Sequence, residues 1–394
     1  MVMDRRRFMM ALGGVGLSLW RPLVDPSEVD VDEKKLKSAT DWIQEKIAER
    51  LFPGAAILAA RSGKPFLEGY WGSFCDVEER DNPVGPDVVH MLYSFSKGVT
   101  STLVVSAEAD GLFDYDDSVH EYIPEFRKKG KDVVTVRHLL THSAGLPSVP
   151  ASHALGEEAW QRNLQALCEA ELEWPPGSRT AYHGWQGMFL AAEVVRRVTG
   201  MQSWETICQE RLFKPLGTDS FTFEAPPPSA TVSLTPQPKE LPCPVTPQRF
   251  GLMGHPGGGC FGTIHDMLKL LQLHLQDGVW VGKQLISTKA LRAMRKVQFA
   301  QEIAAAKKRK ESPAHEYWGL GWLLRGDTKR HWFGFGKRLS PKAFGHAGID
   351  TVMGIADPER ELCLAFLTTH SPPTQEMTVE IRNGVTDRIA EAVR

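Results

Sequence analysis

The chain has 394 residues, is 42% hydrophobic and 24% charged, and carries a formal net charge of −2 at pH 7. This is a soluble globular profile, large enough for one complex domain or two simple ones. It has no basic field to suggest a nucleic-acid partner and no acidic run to suggest a solvating tail. Cys75, Cys168, Cys208, Cys243, Cys260 and Cys363 are widely scattered and form no C-x-x-C pair, so neither a zinc knuckle nor a redox pair is indicated. They read as small buried hydrophobes, with disulfides left open.

The N-terminus carries an address. Arg5-Arg6-Arg7-Phe8-Met9-Met10 resembles a twin-arginine export signal, and the apolar run from Ala11 to Trp20 is too short to span a bilayer. Residues 1–25 therefore read as a signal or N-terminal anchor, which implies a periplasmic or membrane-anchored protein; the alternative is a loose cytoplasmic tail. No other segment is long and apolar enough to cross a membrane.

Residues 31–51 place Leu36, Ala39, Ile43, Ile47 and Leu51 on one helical face. A buried strand follows from Gly54 to Ala60, then a turn at 61–64 and a return strand at 65–71. Residues 94–222 are mostly helical in pattern, and the proline-rich stretch 225–249 is an irregular excursion. Helices are predicted at 264–277 and 285–296, strands at 318–324, 343–346, 351–356 and 362–368, and a closing amphipathic helix at 377–393. Lys307-Lys308-Arg309-Lys310 reads as a solvated helix face. Strands at both ends with helices between predict an α+β fold in a single domain, 26–394. Its antiparallel sheet would come from about 26–90 and 250–394, flanked by terminal helices. A helical subdomain of about 91–249 would be inserted, with the active site in the groove between the two parts.

The chemistry concentrates at Ser94-Phe95-Ser96-Lys97, just before the apolar stripe Val99, Leu103, Val104, Ala107 and the helix-ending Gly111. Ser and Lys at i and i+3 share one helix face. A serine hydroxyl needs a base, and lysine can serve if burial lowers its pKa. A helix-start serine also presents its own N–H to an oxyanion. His138 and His142 have the spacing of a metal-binding pair, but Leu139 stands where a zincin needs Glu, so the stretch reads as structural. Gly257-Gly258-Gly259 lacks the Gly-Lys-Ser/Thr of a phosphate loop and reads as a turn.

With these motifs in order, the chain resembles the serine β-lactamase-like superfamily: class C β-lactamases, D-alanyl-D-alanine peptidases and family VIII carboxylesterases. The resemblance runs over about residues 30–390. It rests on Ser94-x-x-Lys97, Val136-Arg137-His138-Leu139-Leu140-Thr141-His142-Ser143-Ala144-Gly145-Leu146-Pro147, the approach Pro176-Gly177 to Tyr182, Trp318-Gly319-Leu320-Gly321-Trp322 and Phe344-Gly345-His346-Ala347-Gly348. It implies a β-lactamase/transpeptidase-like fold. Ser94 would be the acylated nucleophile, Lys97 its proton acceptor, and Tyr182 a second base or acid. A phenol beside a lysine ammonium would then share one proton with it. The third motif, His346-Ala347-Gly348, would line the cleft, and the N–H groups of Ser94 and Ile349 would form the oxyanion hole.

Two departures bear on substrate. Tyr182-His183-Gly184 lacks the asparagine of the family's Tyr-x-Asn, and His346-Ala347 replaces Lys-Thr. Both remove contacts to a carboxylate-bearing amide. His183 reads either as a cleft residue that replaces lost polar contacts or as a packing or solvent-facing histidine. The sequence thus predicts a serine hydrolase needing no metal or cofactor and acting on a small-molecule ester. A D,D-peptidase or β-lactamase is the alternative, and a non-catalytic scaffold of the same fold a second one.

Overall fold

A computed structural model describes residues 22–75, 81–152, 154–201, 203–226, 232–233, 254–327, 333–348 and 351–394. Residues 1–21 of the proposed N-terminal signal and most of the proline-rich excursion lie outside these, while Val24 N–H already donates to Pro65 O of the folded domain. The strands used below are β1 (Gly54–Arg61), β2 (Lys64–Cys75), β3 (Asp81–Pro83), β4 (Val89–Met91), β5 (Val232–Ser233), β6 (Phe261–Gly262), β7 (Leu323–Leu324), β8 (Phe344–Ala347), β9 (Met353–Asp357) and β10 (Leu362–Thr368). The helices are α1 (Glu33–Ala48), α2 (Ser96–Ala109), α3 (Val136–Leu140), α4 (Gly156–Glu169), α5 (Gln186–Thr199), α6 (Ile264–Leu275), α7 (Thr288–Met294) and α8 (Gln375–Ala392).

The main sheet has the order β3-β2-β1-β10-β9-β8-β7, antiparallel throughout. Its centre joins the two ends of the chain, with Ala55 opposite Thr368 and Arg61 opposite Leu362. Ser62 and Gly63 take φ of 49° and 74°, the left-handed pair that a two-residue hairpin loop requires, and so join β1 to β2. β1 is buried on both faces, which explains its near-continuous apolar sequence. Its alternation sorts the layers. Ala55, Ile57 and Ala59 pack with Leu36, Ile43, Ile381 and Val385 of α1 and α8. Ala56 and Leu58 face the opposite side, where α6 lies on the sheet. Each such Ile or Leu stabilises the fold by about 1.5–3 kcal/mol. Asp32 caps α1 by accepting from Lys35 N–H, and Thr374 caps α8 by accepting from Met377 N–H.

The fold is therefore α+β, with a sheet from both termini and helices α2 to α5 between. β4 pairs with β5 and β6 in a small separate sheet that leads the chain into α2. α2 is buried along its length, every residue from Ser96 to Ala107 included. Its hydroxyls are accommodated by local acceptors. Thr100 Oγ1 donates to Pro256 O at 2.7 Å, and Thr102 Oγ1 donates to Gly98 O at 2.7 Å. α2 is thus a central helix, gripped by α5, α7 and β8. Asp110 caps it and Gly111 follows at φ 76°, as predicted.

Two predicted elements differ. Of the strand expected at 318–324, only Leu323–Leu324 forms, because the segment folds back on itself. Trp318 bridges to Leu323, and Gly319 N–H donates to Trp322 O at 2.9 Å. Gly321 sits at φ 87°, where an added Cβ would fall 1.9 Å from Ser101 Oγ. The helix expected at 285–296 starts at Thr288, since Lys283–Gln284 pairs with Val279–Trp280.

Gly98 lets Trp322 lie on α2: an added Cβ would stand 2.0 Å from the indole. Gly98→Ala should destabilise the protein by about 1–3 kcal/mol through overpacking. Gly85→Ala, where a Cβ meets nothing within 4 Å, should be near neutral. Paired thermal unfolding curves check this, and equal melting temperatures would refute the packing account.

Candidate active site

Ser94 lies in a 3₁₀ turn, Tyr93–Phe95, that runs directly into α2. The sequence predicted a helix start, and the tighter turn still sets Ser94 one turn from Lys97. Phe95 N–H closes the turn on Leu92 O at 3.1 Å, so the Ser94 N–H precedes the first closed bond. Tyr93 takes φ of 47°, a costly conformation for a bulky residue. It is held there by burial and by β8: a Cβ added at Gly348 would come within 2.8 Å of Tyr93 Cβ.

Lys97 is wholly enclosed. Its Nζ lies 2.9 Å from Ser94 Oγ and donates to Gly257 O at 2.7 Å. Burial lowers its pKa from 10.5 to about 7. The Gly257 carbonyl is aimed by a turn built on His255. Gly257 N–H donates to His255 Nδ1 at 3.1 Å, and Gly259 N–H donates to His255 O at 2.7 Å. The turn presses close to α5's entry, since a Cβ at Gly257 would lie 2.8 Å from Trp185 Cα. The sequence showed the glycine run as a turn; nothing in it reveals that one carbonyl meets Lys97.

Tyr182 arrives from an irregular segment ahead of α5, and its Oη lies 2.7 Å from Ser94 Oγ. Lys97 Nζ stands over the ring, 4.9 Å from its centroid. Tyr182 leaves 40% of its surface exposed, but its hydroxyl is crowded by protein. Burial pushes the phenol well above its usual range, opposed by the bond to Ser94 and the charge of Arg382. In the resting site this favours the protonated phenol.

The third motif departs further from expectation. His346 adjoins Tyr182, with ring centroids 5.9 Å apart, but is fully buried and does not line an open cleft. Trp318 and Phe333 flank it, with centroids at 6.1 Å and 5.0 Å. Its Nδ1 lies 2.9 Å from Ala347 O. Burial, then the charge of Lys97, holds its pKa well below the usual histidine range. It is a neutral wall behind the phenol. Gly348 is not an oxyanion donor either, because its N–H already donates to Val352 O at 2.7 Å. Its carbonyl accepts from Arg382 of α8. Ile349 lies outside the described residues.

Of the remaining candidates, His183 is a packing histidine. It is buried and stacked on Trp174 at 6.1 Å, and burial lowers its pKa to about 4. Gly184 is exposed, and a Cβ there would meet nothing within 4 Å. His138 serves a helix start, its Nδ1 accepting from Thr135 N–H at 3.2 Å. Trp318, singled out in the sequence only as part of a late strand, stacks on Tyr182 with centroids 6.1 Å apart. Among the described residues no His/Cys/Asp/Glu group could hold a metal ion, and no helix is long and apolar enough to cross a membrane.

Comparison with known proteins gives this geometry its context. A Salmonella enteritidis protein named "Putative D-alanyl-D-alanine carboxypeptidase" is 24% identical over 391 residues, covering 89% of this chain and 86% of the relative. A penicillin-binding protein homologue from Caulobacter crescentus superposes with a TM-score of 0.73 at 22% identity, covering 91% of this chain and 98% of its own. A family VIII carboxylesterase superposes with a TM-score of 0.69 at 22% identity, covering 92% and 98%. These two share the β-lactamase/transpeptidase-like fold with this chain. The Beta-lactamase family model matches residues 39–385, and with that span the chain belongs to the Beta-lactamase family, a family of serine hydrolases of this fold.

Proposed function

We propose that the protein hydrolyses small acyl esters through an acyl-enzyme on Ser94. The observation that carries this reading is the placement of Ser94 Oγ between Lys97 Nζ at 2.9 Å and Tyr182 Oη at 2.7 Å. An amine with a pKa near 7 is substantially neutral at physiological pH. Its lone pair can accept the Ser94 proton as Oγ attacks the ester carbonyl. The Ser94 N–H would face the developing oxyanion. The protonated Tyr182 phenol would give its proton to the departing alkoxide and recover one from Lys97, so the proton leaving Ser94 ends on the alcohol. In deacylation a water would pass its proton to the same relay and release the acid, restoring Ser94 Oγ–H.

The surroundings support an uncharged acyl group. His346 is neutral and enclosed, Ala347 has no hydroxyl, and Gly184 has no amide. A substrate carboxylate therefore lacks the cation and donors that the Lys-Thr and Asn residues would supply. The relatives named as carboxypeptidases keep a D,D-peptidase as the second reading.

Serine-directed fluorophosphonate labelling should give a single adduct by intact mass, absent in Ser94→Ala. An adduct that persists in that variant would move the nucleophile elsewhere.

Because the base works as the free amine, kcat/KM for an ester should rise with pH through about 7 and level off above it. Lys97→Arg should lose about 10²–10⁴-fold in kcat, close to the loss in Lys97→Ala, since a guanidinium stays charged. A flat profile down to pH 5, or an active Arg variant, would contradict the base assignment.

Each missing hydrogen bond to a charged group is worth about 1.5–3 kcal/mol. Short p-nitrophenyl esters should therefore exceed penicillins and D-Ala-D-Ala peptides in kcat/KM by about 10²–10⁴. Gly184→Asn, sterically free, should narrow that ratio. A cephalosporin turned over faster than every ester tested would instead favour the second reading.

A further inference from the structure

Tyr182 has to present its hydroxyl to Ser94 within hydrogen-bond reach, yet it lies on neither a helix nor a strand. Something outside regular structure must fix it. His142 stands beside it, fully buried, in the segment that follows α3. Two backbone bonds run to this one residue from either side of the tyrosine. Ala181 N–H donates to His142 O at 2.9 Å, and His183 N–H donates to His142 Nδ1 at 3.1 Å. The imidazole also packs on the Tyr182 ring, with centroids 4.9 Å apart, and meets Trp318 in a T-shaped contact at 4.4 Å.

Because Nδ1 accepts, the neutral ring carries its hydrogen on Nε2. The acceptor role needs that neutral form, since an imidazolium donates from both nitrogens. Burial opposes protonation first, and a proton on His183, Lys97 or His346 would oppose it further. The backbone geometry is unusual as well. His142 takes φ of 55°, the left-handed region, where a branched or bulky residue is rarely found. That conformation turns both its carbonyl and its ring toward the same neighbouring segment.

We infer that His142 is the positioning residue for Tyr182: its carbonyl and Nδ1 clamp the peptide groups on both sides of the tyrosine and thereby set the distance from Tyr182 Oη to Ser94 Oγ. It touches no substrate and moves no proton itself. The inference rests on the proposed catalytic role of Tyr182.

The test is a double-mutant cycle in the full-length protein on a short p-nitrophenyl ester, with kcat and KM measured separately. His142→Gly keeps access to the left-handed backbone but removes the acceptor and the ring. His142→Asn keeps left-handed tolerance and a side-chain acceptor oxygen. The Gly variant should lose about 10–100-fold in kcat with KM changed less than about threefold, and the Asn variant should recover most of that loss. In a Tyr182→Phe background the same His142 substitutions should cost little more, because their effect passes through the missing hydroxyl. Losses that add in full, or a Gly variant with wild-type kcat, would overturn the positioning role. If the Gly variant fails to fold, His142→Ala, which also lacks the acceptor and the ring, takes its place in the cycle: additivity with Tyr182→Phe overturns the role and non-additivity supports it. A fully active Tyr182→Phe would instead overturn the catalytic reading of the tyrosine, and the clamp's function with it.

Discussion

The site depends on burying one lysine with no carboxylate beside it. Moving the Lys97 pKa from 10.5 to about 7 corresponds to about 5 kcal/mol of lost solvation for the ammonium. The unfolded chain keeps the ordinary value. Between about pH 7 and 10.5 it therefore binds the extra proton, and this group's contribution to stability rises with pH across that window. At neutral pH and below, folding carries nearly the full penalty. That cost is comparable to the whole stability of many domains, so the rest of the structure must offset it.

The architecture does so by making α2 a central helix. α6 and the terminal helices cover the two faces of the sheet, while α5 and α7 close over α2. Small residues permit the approach: Gly98 under Trp322, Gly257 against the entry to α5, and Gly348 against Tyr93. The buried hydroxyls of Thr100 and Thr102 find backbone acceptors. The Gly257 carbonyl gives Lys97 Nζ an uncharged acceptor, which favours the ammonium far less than a carboxylate would. The four buried histidines nearest the lysine, His142, His183, His255 and His346, all have pKa values lowered chiefly by burial, and each feels the charge of Lys97. The imidazoles around the reacting serine are thus held neutral, and the fixed charge that reaches Tyr182 and His346 is that of Arg382.

Much of this was legible in the sequence because it is local or periodic. The Ser94–Lys97 spacing, the alanine-rich β1, the faces of α1 and α8 and the turn at Ser62-Gly63 all follow from nearest neighbours. Less legible was what depends on three-dimensional closure. The tryptophans and glycines of 318–322 look like a strand, but Gly321 is needed at positive φ beside Ser101, so the chain turns. His346 looks like a cleft residue because its motif usually is one. Trp318 and Phe333 enclose it, and those contacts come from distant positions in the chain. The partner of Lys97 Nζ was not legible either, because it is the carbonyl of Gly257, 160 residues away.

The central claim is that Lys97 stands ready as a neutral amine. Heteronuclear NMR of the protein labelled at lysine Cε and Nζ, with Lys97→Met used to assign the resonance, measures this directly. The account predicts that the Lys97 resonance titrates near pH 7. A Lys97 resonance that stays in the ammonium range up to pH 10 would contradict it.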